Sequence, residues 1–151
     1  MQIPSRFSVA IHICLCLAFF DEELEIKCNK KHCKKMTSEA LADSVGANSV
    51  IVRNILIQLK VAGIVNIARG SGGSKLARDP RNISLLDIFH AVQSVNENQL
   101  FRFHTNPNEL CPLGKNIHSL LEPHFKEAQK ALEGYLESIT LIDILNNLQI
   151  D

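Results

Sequence analysis

The sequence predicts a mainly helical fold with a small β-hairpin wing: a winged helix-turn-helix followed by a long C-terminal dimerisation helix. Three observations carry this prediction. Two short helical segments flank a glycine-bearing turn at Gly46, a glycine-rich hairpin follows them directly, and the last third holds apolar residues at alternating spacings of four and three. A chain of 151 residues with 46 % apolar and 21 % charged positions is enough for one domain with a real core and too apolar for disorder.

The first element is the apolar run Val9–Phe20, which follows Arg6 and so imitates the charged and apolar parts of a secretory signal. It contains His12, lacks a small-x-small cleavage site and runs into the acidic stretch Asp21 to Glu25. It is also shorter than the ~20 residues that span a bilayer. Because it is apolar all round, it is expected as a buried helix sandwiched between other elements. His12 then reads as a core histidine, and Cys14 and Cys16 as inert core thiols.

Thr37 can cap a helix through Val45 that Gly46 ends, and Asn48 can cap the next one. In that second helix Val52, Ile55, Leu56 and Leu59 follow the i, i+3, i+4, i+7 rule of a core stripe. Val50, Arg53, Asn54 and Ile57 lie on the opposite face. A pair of short helices with this turn is a helix-turn-helix, whose second member can lie in a DNA major groove. After Gly63 the pattern changes to a strand at Ile64, Val65 and Ile67, a turn at Arg69 to Gly73 and a return strand through Leu76. The hairpin tip is glycine-rich, so its backbone can approach another backbone, and Arg69 there suits a phosphate or a narrow minor groove.

Ser84 and Asp87 form a capping box for a helix through about Val92, and Thr140 and Asp143 form another for a terminal helix through Leu148. The polar stretch 94–116 reads as a loop. Beyond it, Leu121, Phe125, Ala128, Leu132, Tyr135 and Ile139 mark a coiled-coil seam suited to a partner helix, and Pro123 either starts or kinks that helix. The expected organisation is therefore a DNA-binding domain over 1–92, a sensing loop over 93–116 and dimerisation helices over 117–151.

Sixteen bases cancel sixteen acids overall, but residues 26–81 carry eleven bases and three acids while residues 82–151 carry four bases and nine acids. Positive charge confined to the predicted helix-turn-helix and wing is the layout of a polyanion binder with an acidic body. The five cysteines, an odd number, read as free or reactive thiols of a cytoplasmic protein. Cys28, His32 and Cys33 lack the second ligand pair of a zinc site. No nucleophile–base set, phosphate loop or paired carboxylate motif is present, so an enzyme is not expected.

The stretch from Thr37 to Asp87, with AGIV at Ala62 to Val65, RGSGG at Arg69 to Gly73 and LARDP at Leu76 to Pro80, together with ITLIDI at Ile139 to Ile144, resembles the bacterial winged-helix regulators of the Rrf2 family. The resemblance spans nearly the whole chain. It implies a homodimer, bridged by the long helix, that reads a palindromic operator and receives its signal through the loop before that helix. Several members hold an iron–sulfur cluster there on three closely spaced cysteines. This chain has Cys111 alone in the loop, with His104 and His118 as its nearest possible ligands, and a cluster prefers about four thiolate-rich ligands, so no cofactor is expected. CPLGKNI at Cys111 to Ile117 and the segment Ser5 to Ile13 resemble the cluster-less branch.

The expected function is a cytoplasmic, homodimeric repressor that binds double-stranded DNA, makes no membrane contact and responds to oxidants or electrophiles. The expected DNA-binding residues are Asn48, Ser49, Val50, Ile51, Arg53 and Asn54 on the second helix and Arg69, Gly70 and Ser71 on the wing. Cys111 is the candidate redox sensor, activated by the helix N-terminus and Lys115, with Cys28 or Cys33 as resolving thiol; the alternative is that Cys111 is a buried apolar contact and regulation comes from a small ligand or from expression level. The alternative is a winged-helix module that binds a protein partner; affinity for duplex DNA that falls steeply with salt separates the two.

Overall fold

The computed structural model describes residues 5–21, 23–24, 34–92 and 100–150, with position 71 described for its backbone only. In chain order the elements are α1 (Ser5–Phe19), α2 (Ser38–Val45), α3 (Ser49–Val61), β1 (Val65–Ile67), β2 (Ser74–Leu76), α4 (Leu85–Val92), α5 (Pro112–Ser138) and α6 (Leu141–Asn146), with short 3-10 turns at Gly70–Gly72 and Pro80–Asn82. The chain divides into two compact units, Met1–Gln93 with Glu137–Asp151, and Ser94–Leu136.

In the first unit α1 packs against α2, α3, α4, α6 and β2, as expected of a helix apolar all round. Ile13, Cys14 and Leu17 are buried among Leu41 of α2, Val52, Ile55 and Leu59 of α3, and Ile88 of α4. Phe7 meets Phe89 edge to face at 5.1 Å. His12 departs from its expected place: it is exposed, with Nε2 3.2 Å from the Ser44 hydroxyl of α2, so its ring finds a polar partner at the edge of the core.

Local chemistry sets the ends of α2 and α3. The Thr37 hydroxyl accepts the Ala40 N–H at 3.2 Å, and the Gly46 N–H closes α2 on the Ala42 carbonyl at 2.8 Å. Asn48 Oδ1 then accepts the Val50 N–H at 2.8 Å and opens α3. The chain bends by 111° between the two helices, within the range of a helix-turn-helix.

β1 and β2 pair antiparallel with Val65 opposite Leu76, Asn66 opposite Lys75 and Ile67 opposite Ser74. The wing is fastened by the Ser74 N–H to the Met36 carbonyl at 2.9 Å. Gly73, at φ 75°, lets this happen: a Cβ there would stand 3.1 Å from the Met36 backbone.

Both expected capping boxes form. Ser84 and Asp87 exchange bonds of 3.0 and 3.1 Å, and Thr140 and Asp143 exchange bonds of 2.9 and 3.3 Å. The two boxes are joined: the Leu85 N–H reaches the Ile139 carbonyl at 2.9 Å and the Leu141 N–H reaches the Ile83 carbonyl at 3.0 Å. Residues 117–151, expected as one set of dimerisation helices, are therefore divided. Leu141 and Leu145 of α6 are buried in the first unit, where α6 packs against α1 and the turn Pro80–Asn82.

Helix α5 also begins earlier than expected. Positions through 116 read as loop, but the helix starts at Pro112, because proline at a first helical position loses no bond that the helix would otherwise make. Pro123 is inside α5, and Ile139, the last expected seam residue, lies beyond the helix end at Ser138. Among the described residues no single helix is long and apolar enough to cross a membrane.

Leu141 is fully buried, so Leu141→Ala should cost about 2–5 kcal/mol of unfolding free energy, read from the urea midpoint. A midpoint within error of the parent would show that α6 is not part of the core.

Candidate nucleic-acid interface

Helix α3 has one fully committed face. Val52, Ile55, Leu56 and Leu59 are all buried, and this forces Val50, Ile51, Arg53, Asn54 and Ile57 outward. Val50 and Ile51 remain 56 % and 48 % exposed and form an adjacent apolar pair on the outward face. Asn48 is also exposed, but its Oδ1 is committed to the cap, while Ser49 is half-buried.

A groove runs between α3 and the wing, lined by Thr37, Ser38, Glu39, Arg53, Ile57, Ile67, Gly70 and Gly73. Arg69 and Gly70 are exposed at the wing tip, and the side chain of Ser71 lies outside the described residues. The expected recognition residues and the wing are thus brought to one side of one compact unit.

Sequence reasoning missed two residues of this groove. Arg53 Nη2 lies 2.7 Å from Glu39 Oε1, and Arg53 Nε donates to the Ser38 hydroxyl at 3.3 Å. The bond from Arg53, with help from the Glu39 backbone N–H and Ser38, holds the Glu39 carboxyl below its ordinary pKa. Fourteen residues separate the partners, so no helical spacing announces the pair. A second tie, from Arg6 Nε to Gln58 Oε1 at 3.0 Å, links α1 to α3.

In the second unit Cys111 is exposed immediately before α5. Its sulfur accepts the backbone N–H groups of Gly114 and Leu113, which hold its pKa below the ordinary 9.0. The helix N-terminus therefore acts on this thiol as expected, whereas Lys115 contributes only its backbone N–H, bonded to the Cys111 carbonyl at 2.9 Å. Gly114 is sterically required, since a Cβ there would strike the Asn108 carbonyl. Cys28 and Cys33, the expected resolving thiols, lie outside the described residues.

His104 and His118 do meet, but as a structural contact. The rings pack edge to face at 5.6 Å, and His118 Nε2 lies 3.0 Å from the His104 carbonyl, to which it donates. Phe101 stacks on Phe125 at 4.9 Å and Phe103 meets it tilted at 5.4 Å, so this expected seam residue is engaged within its own chain. Leu121 and Leu132 are likewise half-buried, while Ala128 and Tyr135 are exposed. Among the described residues no group of three His, Cys, Asp or Glu side chains is placed to hold a metal ion. A single loop thiol committed to a helix end does not fit the thiolate-rich ligation of an iron–sulfur cluster.

Cys14 contrasts with Cys111, because burial and then the neighbouring Cys16 push its thiol up to about 12. As pH rises above 9.0, an unfolded chain releases the proton that folded Cys14 still holds, so this residue lowers stability progressively across that window. Limiting iodoacetamide on the native protein at neutral pH should label Cys111 well ahead of Cys14 and Cys16, read by peptide mass spectrometry. Labelling of Cys14 at an equal rate would contradict the two environments.

Comparison with known proteins agrees with this geometry. A family described as Rrf2, iron-dependent transcriptional regulators, matches residues 3–147. The chain is 42 % identical over 147 residues to YwnA of Bacillus subtilis, named as an HTH-type transcriptional regulator, covering 97 % of this chain and 99 % of that one. A solved structure described as that of a DNA-binding protein is 38 % identical, with a TM-score of 0.71, covering 94 % of this chain and 100 % of the other. The global cysteine regulator CymR of B. subtilis shares the fold at a TM-score of 0.68 and 17 % identity, over 99 % of each chain. The family and its relatives are transcription regulators rather than enzymes. With a two-helix turn, an adjoining wing and a match over nearly its whole length, the chain belongs to the Rrf2 family of winged-helix transcription regulators.

Proposed function

We propose that this protein is a cytoplasmic homodimer that represses transcription by binding a palindromic operator in double-stranded DNA. One observation carries the reading: the buried stripe of α3 turns Val50, Ile51, Arg53 and Asn54 outward beside the exposed wing tip. These side chains match base edges in kind. Arg53 suits guanine, Asn54 suits adenine, and Val50 and Ile51 suit thymine methyls. Asn48 and Ser49 at the helix start approach the backbone, and Arg69, Gly70 and Ser71 enter the adjacent minor groove.

Dimerisation runs through α5, because one helix-turn-helix contacts only half a palindrome and two must sit about one helical turn apart. Of its 27 residues only Leu136 is buried. The face offered to a partner keeps Ala128 and Tyr135 of the seam read off the sequence and adds Leu113 and Leu120 beside them. Leu113, Leu120 and Tyr135 are 62, 53 and 65 % exposed and share a stripe with Ala128, whereas Leu121, Phe125 and Leu132 are half-covered within the single chain. Cys111 at the start of this helix is the proposed input. A peroxide-class oxidant would convert the Cys111 thiolate to a sulfenic acid and itself be reduced, and the thiol of Cys28 or Cys33 would then form the disulfide with release of water, displacing the segment from which α5 begins.

The test selects duplexes from a random library with the full-length protein. Arg53→Ala should weaken binding to the selected operator by ~1–3 kcal/mol and relax one base position. Arg69→Ala should weaken operator and random DNA alike, and an unchanged curve would remove the wing from the contact. Leu120→Asp should give monomers in sedimentation with weak, non-cooperative binding, while an intact dimer would refute the α5 face.

A further inference from the structure

Glu39 places a carboxylate on the groove that the preceding reading turns toward DNA, where a phosphate backbone favours positive charge. It is the second residue of α2, and a carboxylate at a helix N-terminus is favourable without any cross-helix partner. Yet its side chain reaches α3. Glu39 Oε1 takes Arg53 Nη2 at 2.7 Å, Glu39 Oε2 takes the Ser38 hydroxyl at 3.2 Å, and that hydroxyl accepts Arg53 Nε at 3.3 Å, closing a three-residue ring.

Both partners are more than half exposed, so the pair adds little to folding. What it restricts is the arginine. A free Arg side chain samples many rotamers and must be ordered when it binds a base, and that ordering opposes binding. Here the Nε–Nη2 edge of the guanidinium is spent on α2. The Nη1 side keeps its donors, with no partner among the described residues, and a second Nη2 hydrogen completes a fork of the spacing that guanine O6 and N7 accept.

We propose that Glu39 is a positioning residue that holds the Arg53 fork for one guanine-bearing base pair and so sets base preference at that operator position. The inference rests on α3 being the DNA-reading helix. The lowered pKa of the Glu39 carboxyl keeps it ionised, so the tether persists at neutral pH.

The experiment measures affinities of the full-length wild type, Glu39→Ala, Arg53→Ala and the double variant for the selected operator and for every single base-pair change in it. Glu39→Ala should lower the preference at the base pair that Arg53→Ala flattens, by about fivefold or more, and leave the other positions unchanged. In the Arg53→Ala background the Glu39 substitution should remove no further preference. If Glu39→Ala instead tightens binding to all duplexes by one common factor with preferences intact, Glu39 is only a repelling surface charge and the inference falls alone. If the wild type selects no sequence, or Arg53→Ala flattens no position, the reading of α3 falls and takes the inference with it.

Discussion

Burial of one stripe of α3 against α1 is the constraint on which the rest of this protein depends. Val52, Ile55, Leu56 and Leu59 are buried on the same helix face as the core residues Ile13, Cys14 and Leu17 of α1 require. An α-helix with one face fixed has no freedom about its own axis, so the outward direction of Arg53 and Asn54 follows from the core rather than from any contact of their own. Position along the axis is fixed as well, because Asn48 caps the start and the 111° bend at the turn sets where α3 leaves α2. A functional surface supported in this way is built on a rigid element, which lets short side chains keep their geometry.

The same core holds the parts that flank the interface. The wing hangs from the Met36 backbone through Ser74, so its tip is anchored a few residues from where α2 begins. Helix α6 returns to the first unit and bonds to both sides of Ser84, which ties the end of the long helix to the core that orients α3. This gives the proposed signal a physical route. Whatever moves α5 acts on a chain whose next helix is part of the unit that holds the helix-turn-helix, through backbone bonds rather than through a side-chain relay.

Much of this was legible in the sequence because its causes are local. Thr37, Asn48, Ser84 and Thr140 are capping residues that act within three positions, and the stripe of α3 is a periodicity within ten residues. The parts that were not legible depend on distant partners. The Glu39–Arg53 pair joins residues with no periodic relation, and the Ser44 hydroxyl that draws His12 out of the core is 32 residues away. The seam on α5 is covered in part for a related reason. Phe125 and Leu121 have the spacing of a partner-facing stripe, but Phe101 and Phe103, from a stretch without periodicity, cover Phe125 inside the chain, while Ala128 and Tyr135 of the same seam stay exposed. The start of α5 was misplaced because a polar, glycine-bearing first turn looks like loop, although Pro112 and the Cys111 cap begin a helix there.

The account's central claim is that the surface made by α3 and the wing meets the phosphate-lined grooves of duplex DNA. Its most direct test is the affinity of the full-length protein for its selected operator and for random duplex as monovalent salt is raised. The claim predicts that the logarithm of each affinity falls linearly with the logarithm of salt concentration, with the operator remaining tighter throughout. Duplex affinity that is absent, or that does not change with salt, would contradict it and favour a winged-helix module that binds another protein.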